Sequence, residues 1–142
     1  MKALQPPGWP RPKGYSNGMA AHGRFVLTAG VVGWDETETF HSDTLAGQFA
    51  QALRNIVAIL ECDGAAPENI ARMTCYVTSI DDYIASASEI GAAWREILGK
   101  HYPAMALVQV VRLVESKALV EVKGLVESAA KIEIETTAVV DE

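Results

Sequence analysis

Cysteine and histidine are scarce in this chain of 142 residues, which holds two cysteines (Cys62, Cys75) and three histidines (His22, His41, His101). Neither set has the short, regular spacing of metal ligands, so no metal site is predicted. Two isolated cysteines are not expected to pair in a reducing compartment, and both are read as structural thiols. Long apolar runs are absent too. No stretch approaches the roughly 20 residues that a membrane span requires. Basic clusters are also missing: 12 Lys and Arg stand against 18 Asp and Glu, for a formal net charge of −6. The basic residues occur singly, so a phosphate backbone would find little to hold, which argues against nucleic acid as a partner. The N-terminal stretch from Met1 to Lys13 is rich in proline and lacks the apolar core of a signal peptide, so the predicted location is cytoplasmic.

What the chain does have is a composition 49% hydrophobic and 21% charged, with no biased run, enough to bury one core. Residues 1–14, with Pro6, Pro7, Pro10 and Pro12, are predicted to form an extended arm pinned by Trp9, because proline interrupts both helices and central strands. Strands are predicted at 17–22 and 24–32, and a polar loop follows. The apolar stripe Leu45, Phe49, Ala52, Leu53, Ile56 and Leu60 predicts a helix over 44–63, capped by Ser42 or Asp43 and stopped by Gly64. A β-branched strand follows at 70–78, then a second helix over about 83–98 capped by Asp81 or Asp82. Two more strands, 104–111 and 118–126, close a domain spanning 15–128. Residues 129–142 read as a C-terminal extension, either an edge strand or a solvated end. The order ββαβαββ predicts an α/β (α+β) fold with a mixed sheet and two helices on one face.

Two helices cover only one face of such a sheet. Strand alternation predicts Ala106, Val108 and Val110 in the core, with Met105, Leu107, Gln109 and Val111 on the opposite face beside Glu121. Apolar side chains there call for a second copy of the chain to cover them. Glu121, between Leu119 and Leu125, is then either a partly desolvated carboxylate suited to carry protons or half of a solvated pair with Lys123.

The pattern resembles the Rid (YjgF/YER057c/UK114) family. The matching residues are Gly14-Tyr15-Ser16, Thr28-Ala29-Gly30, Gln51 to Ile56 with Ile59, Leu60 and Gly64, Thr74 to Thr78 with Asp81-Asp82-Tyr83, Pro103-Ala104, Val108, Val110, Leu113, and Leu119-Val120-Glu121-Val122. The resemblance covers roughly Tyr15 to Val126, most of the chain. The resemblance implies a chorismate-mutase-like fold and a homotrimer with a central barrel and clefts between subunits. It further implies hydrolysis of imines or enamines of amino acids, with release of ammonia and no metal or organic cofactor. It places Glu121 on the water-positioning glutamate and Tyr15 on a pocket tyrosine, the two catalytic candidates, and Gly30 on a substrate-facing glycine. The arginine that normally follows Pro-Ala and clamps a substrate carboxylate is here Met105. Leu107 and Ser88 stand where a small polar or thiol residue and a helix asparagine are common, and Trp34 offers a packing surface. The candidate substrate-binding set is thus Gly30, Met105, Leu107, Trp34 and Ser88. With Met105 and Leu107 forming an apolar wall, two functions follow: a divergent deaminase with a less acidic or more aromatic substrate, or a non-catalytic trimer that binds a ligand or partner.

Overall fold

The computed structural model describes residues 1–115 and 130–142. A two-stranded antiparallel ribbon, β1 (Lys2–Leu4) and β2 (Gly18–Ala20), stands apart from a five-stranded sheet. That sheet contains β3 (Arg24–Leu27), β4 (Val31–Val32), β5 (Ile70–Val77), β6 (Ala104–Gln109) and β7 (Ile132–Val140). Its order is β3-β7-β5-β6, with β4 also paired to β7. β7 runs antiparallel to β3, β4 and β5, whereas β5 and β6 are parallel.

One face of the sheet is covered by α1 (Leu45–Glu61) and by α3 (Ala87–Ile97), which follows the short α2 (Ile80–Ala85). The predicted stripe of α1 is the core: Phe49, Ala52, Leu53, Ile56 and Leu60 are fully buried, against Ile70, Met73, Cys75, Ile132 and Ile134 of the sheet. Burial of this kind contributes about 25 cal/mol for each Å² of apolar surface withdrawn from water. Thr44, one residue beyond the expected caps, closes the start of α1 by accepting from the Gly47 N–H at 3.1 Å. Gly64 ends it at φ 70°, a conformation that costs glycine little. The predicted second helix is two helices, broken at Ser86, and its cap is Ser79, which accepts from the Asp82 N–H at 3.1 Å. Asp81 and Asp82 instead occupy the first turn, where their charge favours the helix dipole.

Three expectations are corrected. The C-terminal segment is no extension or edge: β7 is hydrogen-bonded on both sides, and Ile132, Ile134 and Ala138 face the helices. The two sides of β6 are also exchanged. β6 pairs in register with β5, Met73 opposite Met105 and Cys75 opposite Leu107, so Met105 and Leu107 share the buried side of Met73 and Cys75 and pack on the core. Val108, predicted to be core, is exposed. A shift of one residue in the assumed phase moves every side chain of a strand to the other face. In the arm, Trp9 is exposed, and the tie is Gln5, whose Nε2 donates to the Trp9 carbonyl at 2.9 Å. The predicted strand 118–126, with Glu121 and Lys123, lies outside the described residues.

The seating of β7 depends on one buried polar side chain. Gln48 on α1 donates from Nε2 to the Ser42 carbonyl at 3.0 Å and accepts at Oε1 from the Lys131 N–H at 2.7 Å, immediately before β7 begins. Both partners would be stranded by truncation. Gln48→Ala is therefore expected to cost about 1–3 kcal/mol in denaturant unfolding, whereas Gln51→Ala on the same helix, half-buried, should cost less.

Candidate active site

The sheet face turned from the helices carries a group of carboxylates. Strand alternation points Glu133, Glu135 and Thr137 of β7 that way, with Tyr76 of β5 opposite Glu133 in the pairing. The Tyr76 phenol donates to Glu135 Oε1 at 2.7 Å. Glu133 lies across the backbone of Gly30: a Cβ at residue 30 would sit 2.4 Å from Glu133 Oε1 and 2.8 Å from its Cδ. Only glycine leaves room for the carboxylate there. Partial burial pushes the Glu133 carboxyl above the usual range, and the neighbouring charges of Glu115 and Glu135 push it the same way. A carboxylate so placed releases its proton closer to neutrality and can accept one from a bound water.

Gly30 opens a cleft of about 480 Å³ that Trp34, Asn55, Ile59 and Glu115 also line. Asn55 of α1 fixes its wall, donating from Nδ2 to the carbonyls of Val32 at 3.1 Å and Trp34 at 2.6 Å. Trp34 itself packs against Phe40, ring centroids 5.7 Å apart, in a small second core with Val32, Leu113 and Ala130. It is thus both a packed aromatic and one rim of the cleft. Beyond it, Asp35 accepts from the Thr37 hydroxyl, pairs with His41 and accepts from the N–H groups of Thr39 and Thr37, contacts that hold its carboxyl far below the usual range and order the loop.

The remaining predicted residues gather on the other side of the sheet. Ser16 bridges to Ala104, its N–H donating to the Pro103 carbonyl at 3.0 Å and its hydroxyl to the Tyr102 carbonyl at 2.5 Å. These bonds hold the Gly14-Tyr15 segment beside β6. Tyr15 is exposed and lines a cleft with Trp9, Arg11 and Tyr102. Met105 lies in an adjoining cleft with Gly14, Tyr102 and the residues of α3. Leu107 is packed on the core, and Ser88 sits exposed on the first turn of α3, where Ala87 and Gly91 rather than Ser88 line that cleft. His101 holds the loop, its Nε2 2.6 Å from the Ile70 carbonyl oxygen. The buried Cys75 thiol is pushed up to about 12 by desolvation and is inert.

The structure therefore brings Gly30 and Trp34 together with Glu133, and Tyr15 near Met105, but the two groups occupy opposite faces of one sheet. Glu133 is not among the residues singled out from the sequence, where the carboxylate candidate is Glu121 of Val120-Glu121-Val122, outside the described residues. The signal was present in Ile132-Glu133-Ile134-Glu135, which has the same apolar–acid–apolar alternation. Among the described residues no group of His, Cys, Asp and Glu is placed to hold a metal ion, and no helix is long and apolar enough to cross a membrane.

The architecture is that of a mixed α+β protein, a sheet backed by helices on one face. Residues 10–140 match the family model described as Endoribonuclease L-PSP, and the chain belongs to that family, which takes in the YjgF, RutC and Rid proteins. A RutC family protein of Synechocystis sp. is 32% identical over 116 residues, covering 80% of this chain and 86% of its relative. The 2-iminobutanoate/2-iminopropanoate deaminase of Salmonella typhimurium is 27% identical over 94 residues, 64% of this chain and 70% of that protein. Among solved structures, the Rid-family protein YyfB of Yersinia pestis superposes with a TM-score of 0.75 at 25% identity, covering 98% of each chain. The family match reaches to residue 140 and so includes β7.

Proposed function

We propose that this protein is a divergent imine or enamine deaminase whose water-activating carboxylate is Glu133. The observation that carries the reading is the seat of that carboxylate: pressed over Gly30, partly withdrawn from water, beside two like charges that raise its proton affinity. In the reaction a water adds to the carbon of the C=N bond while Glu133 accepts its proton. That proton passes to nitrogen to give a carbinolamine; Glu133 then carries the hydroxyl proton to the same nitrogen as the C–N bond breaks, and ammonia leaves with a carbonyl product. Water supplies every atom the product gains, so no cofactor enters. The family also contains a relative named for this chemistry, 2-iminobutanoate/2-iminopropanoate deaminase.

The site is proposed to be completed by another copy of the chain in a homotrimer. Phe25 and Leu27 of β3, 68% and 66% exposed, stand with exposed Val108 on the same open face as Glu133. An apolar surface of this kind calls for cover. A neighbouring copy could set its Tyr15 and Met105 clefts opposite Glu133, joining the two groups that a single sheet keeps apart. Met105, in the position of the usual arginine, favours a second reading, a non-catalytic trimer that binds an apolar ligand. The net charge of −6 gives RNA no electrostatic hold, so ribonuclease activity is not adopted.

The test is ammonia release from a panel of freshly generated imines derived from small, branched and aromatic amino acids. The deaminase reading predicts release faster than in buffer for at least one of them. Rates equal to buffer across the panel, with an apolar ligand bound, would leave the binding trimer as the function.

A further inference from the structure

The helix-side cleft beside Met105 encloses about 280 Å³. That is just below the span of drug-sized sites, roughly 300–1,000 Å³, and suits a small ligand. Its walls are Phe49, Tyr83, Ile90, Trp94, Tyr102 and Met105, with no acidic residue among them. The rings are fixed in place. Trp94 stacks on Tyr102 at 6.0 Å with the planes 6° apart, and its Nε1 donates to the His101 carbonyl at 3.0 Å. One lining group is charged, and it is Arg95. Its guanidinium folds back along α3 over Gly91: a Cβ on residue 91 would lie 3.3 Å from Nη1. Among the described residues no carboxylate pairs with Arg95, whereas Arg24 is paired with both Asp63 and Glu142.

An aromatic and aliphatic cleft with one unpaired guanidinium at its rim matches one ligand chemistry, a small monocarboxylate with an apolar body. We infer that this cleft takes the carboxylate of an aromatic or branched-chain imino or keto acid, with Arg95 pairing the carboxylate and the ring wall holding the side chain. Arg95 thus supplies from α3 the cation that Met105 does not supply from β6. Met105 and the absent side chain of Gly91 leave the space for an apolar body and for the folded guanidinium. The guanidinium fork suits a carboxylate through two parallel N–H donors. This names the substrate class for the site proposed above and rests on that reading. Binding of an unreactive carboxylate is measured apart from turnover, so the two can fail separately.

Titration calorimetry of the full chain with 3-phenylpropanoate, and with the uncharged 3-phenylpropanamide, tests it. The wild type should bind the carboxylate more tightly than the amide. Arg95→Ala should weaken carboxylate binding about tenfold, at the low end for a bond to an exposed charged group, and leave the amide unchanged. Arg95→Lys should fall between, because the charge is kept but the fork is lost. Gly91→Leu, which displaces the guanidinium, should weaken both ligands. Arg95 is exposed, so its variants should fold. Equal affinity of wild type and Arg95→Ala for the carboxylate, equal affinity of the wild type for carboxylate and amide, or no binding of 3-phenylpropanoate would each overturn the inference. Carboxylate binding through Arg95 without hydrolysis of any imine would uphold it and sink the deaminase reading.

Discussion

Glu133→Gln is expected to lower kcat for imine hydrolysis by roughly 10²- to 10⁴-fold, the range over which a positioned general base acts, while substrate binding changes little. The amide keeps the shape and the seat over Gly30 but accepts no proton at neutral pH. Glu121→Gln is the matched control, since the same apolar–acid–apolar pattern surrounds residue 121, and it should retain wild-type turnover. The wild-type profile carries its own signature. Burial, Glu115 and Glu135 all raise the Glu133 carboxyl above the ordinary glutamate range. The ionised form is the active one, so turnover should fall as pH drops through that raised value, at higher pH than for an ordinary glutamate. Glu115→Gln removes one of the like charges and should move this acid limb to lower pH. An acid limb unmoved by Glu115→Gln, with kcat kept by Glu133→Gln, would remove Glu133 from the chemistry.

Gly30→Val is expected to cost roughly 10²-fold in kcat, the scale on which an ångström of misplacement acts, with little loss of stability. Its backbone is not in the left-handed region, so valine at residue 30 meets no conformational strain. The contact it makes is with the far end of a flexible side chain: Glu133 Oε1 at 2.4 Å, Cδ at 2.8 Å and Cγ at 3.0 Å. The carboxylate must swing away while the sheet stays intact. A fold-destroying substitution would show in the unfolding midpoint; this one should show only in the rate. Gly33 provides the contrast, because a side chain there would strike the backbone of α1, with Gln48 O at 2.3 Å, and Gly33→Val should lose stability instead.

Much of this was legible in the residues. The spacing of Phe49, Leu53, Ile56 and Leu60 marks the buried stripe of α1, and the β-branched run 70–78 marks β5. Gly30 was singled out as a candidate, and the structure seats Glu133 over it. Three features were not legible, each for a physical reason. The break at Ser86 leaves the apolar period on either side nearly in phase, so one long helix and two short ones read alike. The orientation of β6 depends on its register with β5, a tertiary property that alternation within β6 does not contain. The identity of the central strand was hidden because Val120-Glu121-Val122 and Ile132-Glu133-Ile134 carry the same pattern. What seats Ile132-Glu133-Ile134 is Gln48, a buried amide on a distant helix that binds the backbone of Lys131. Long-range hydrogen bonds of that kind leave no periodic trace.

In the proposed mechanism, two half-sites, one on each face of the sheet, meet only between copies of the chain. Mixing Glu133→Gln with Tyr15→Ala protein, after dissociation and reassembly, measures this directly. Each variant alone should be nearly inactive, and mixed assemblies should regain a substantial fraction of wild-type ammonia release, because one copy then offers an intact Glu133 to another's intact Tyr15. A mixture no more active than its two parents, in protein shown to have exchanged subunits, would mean that the two groups do not share a site.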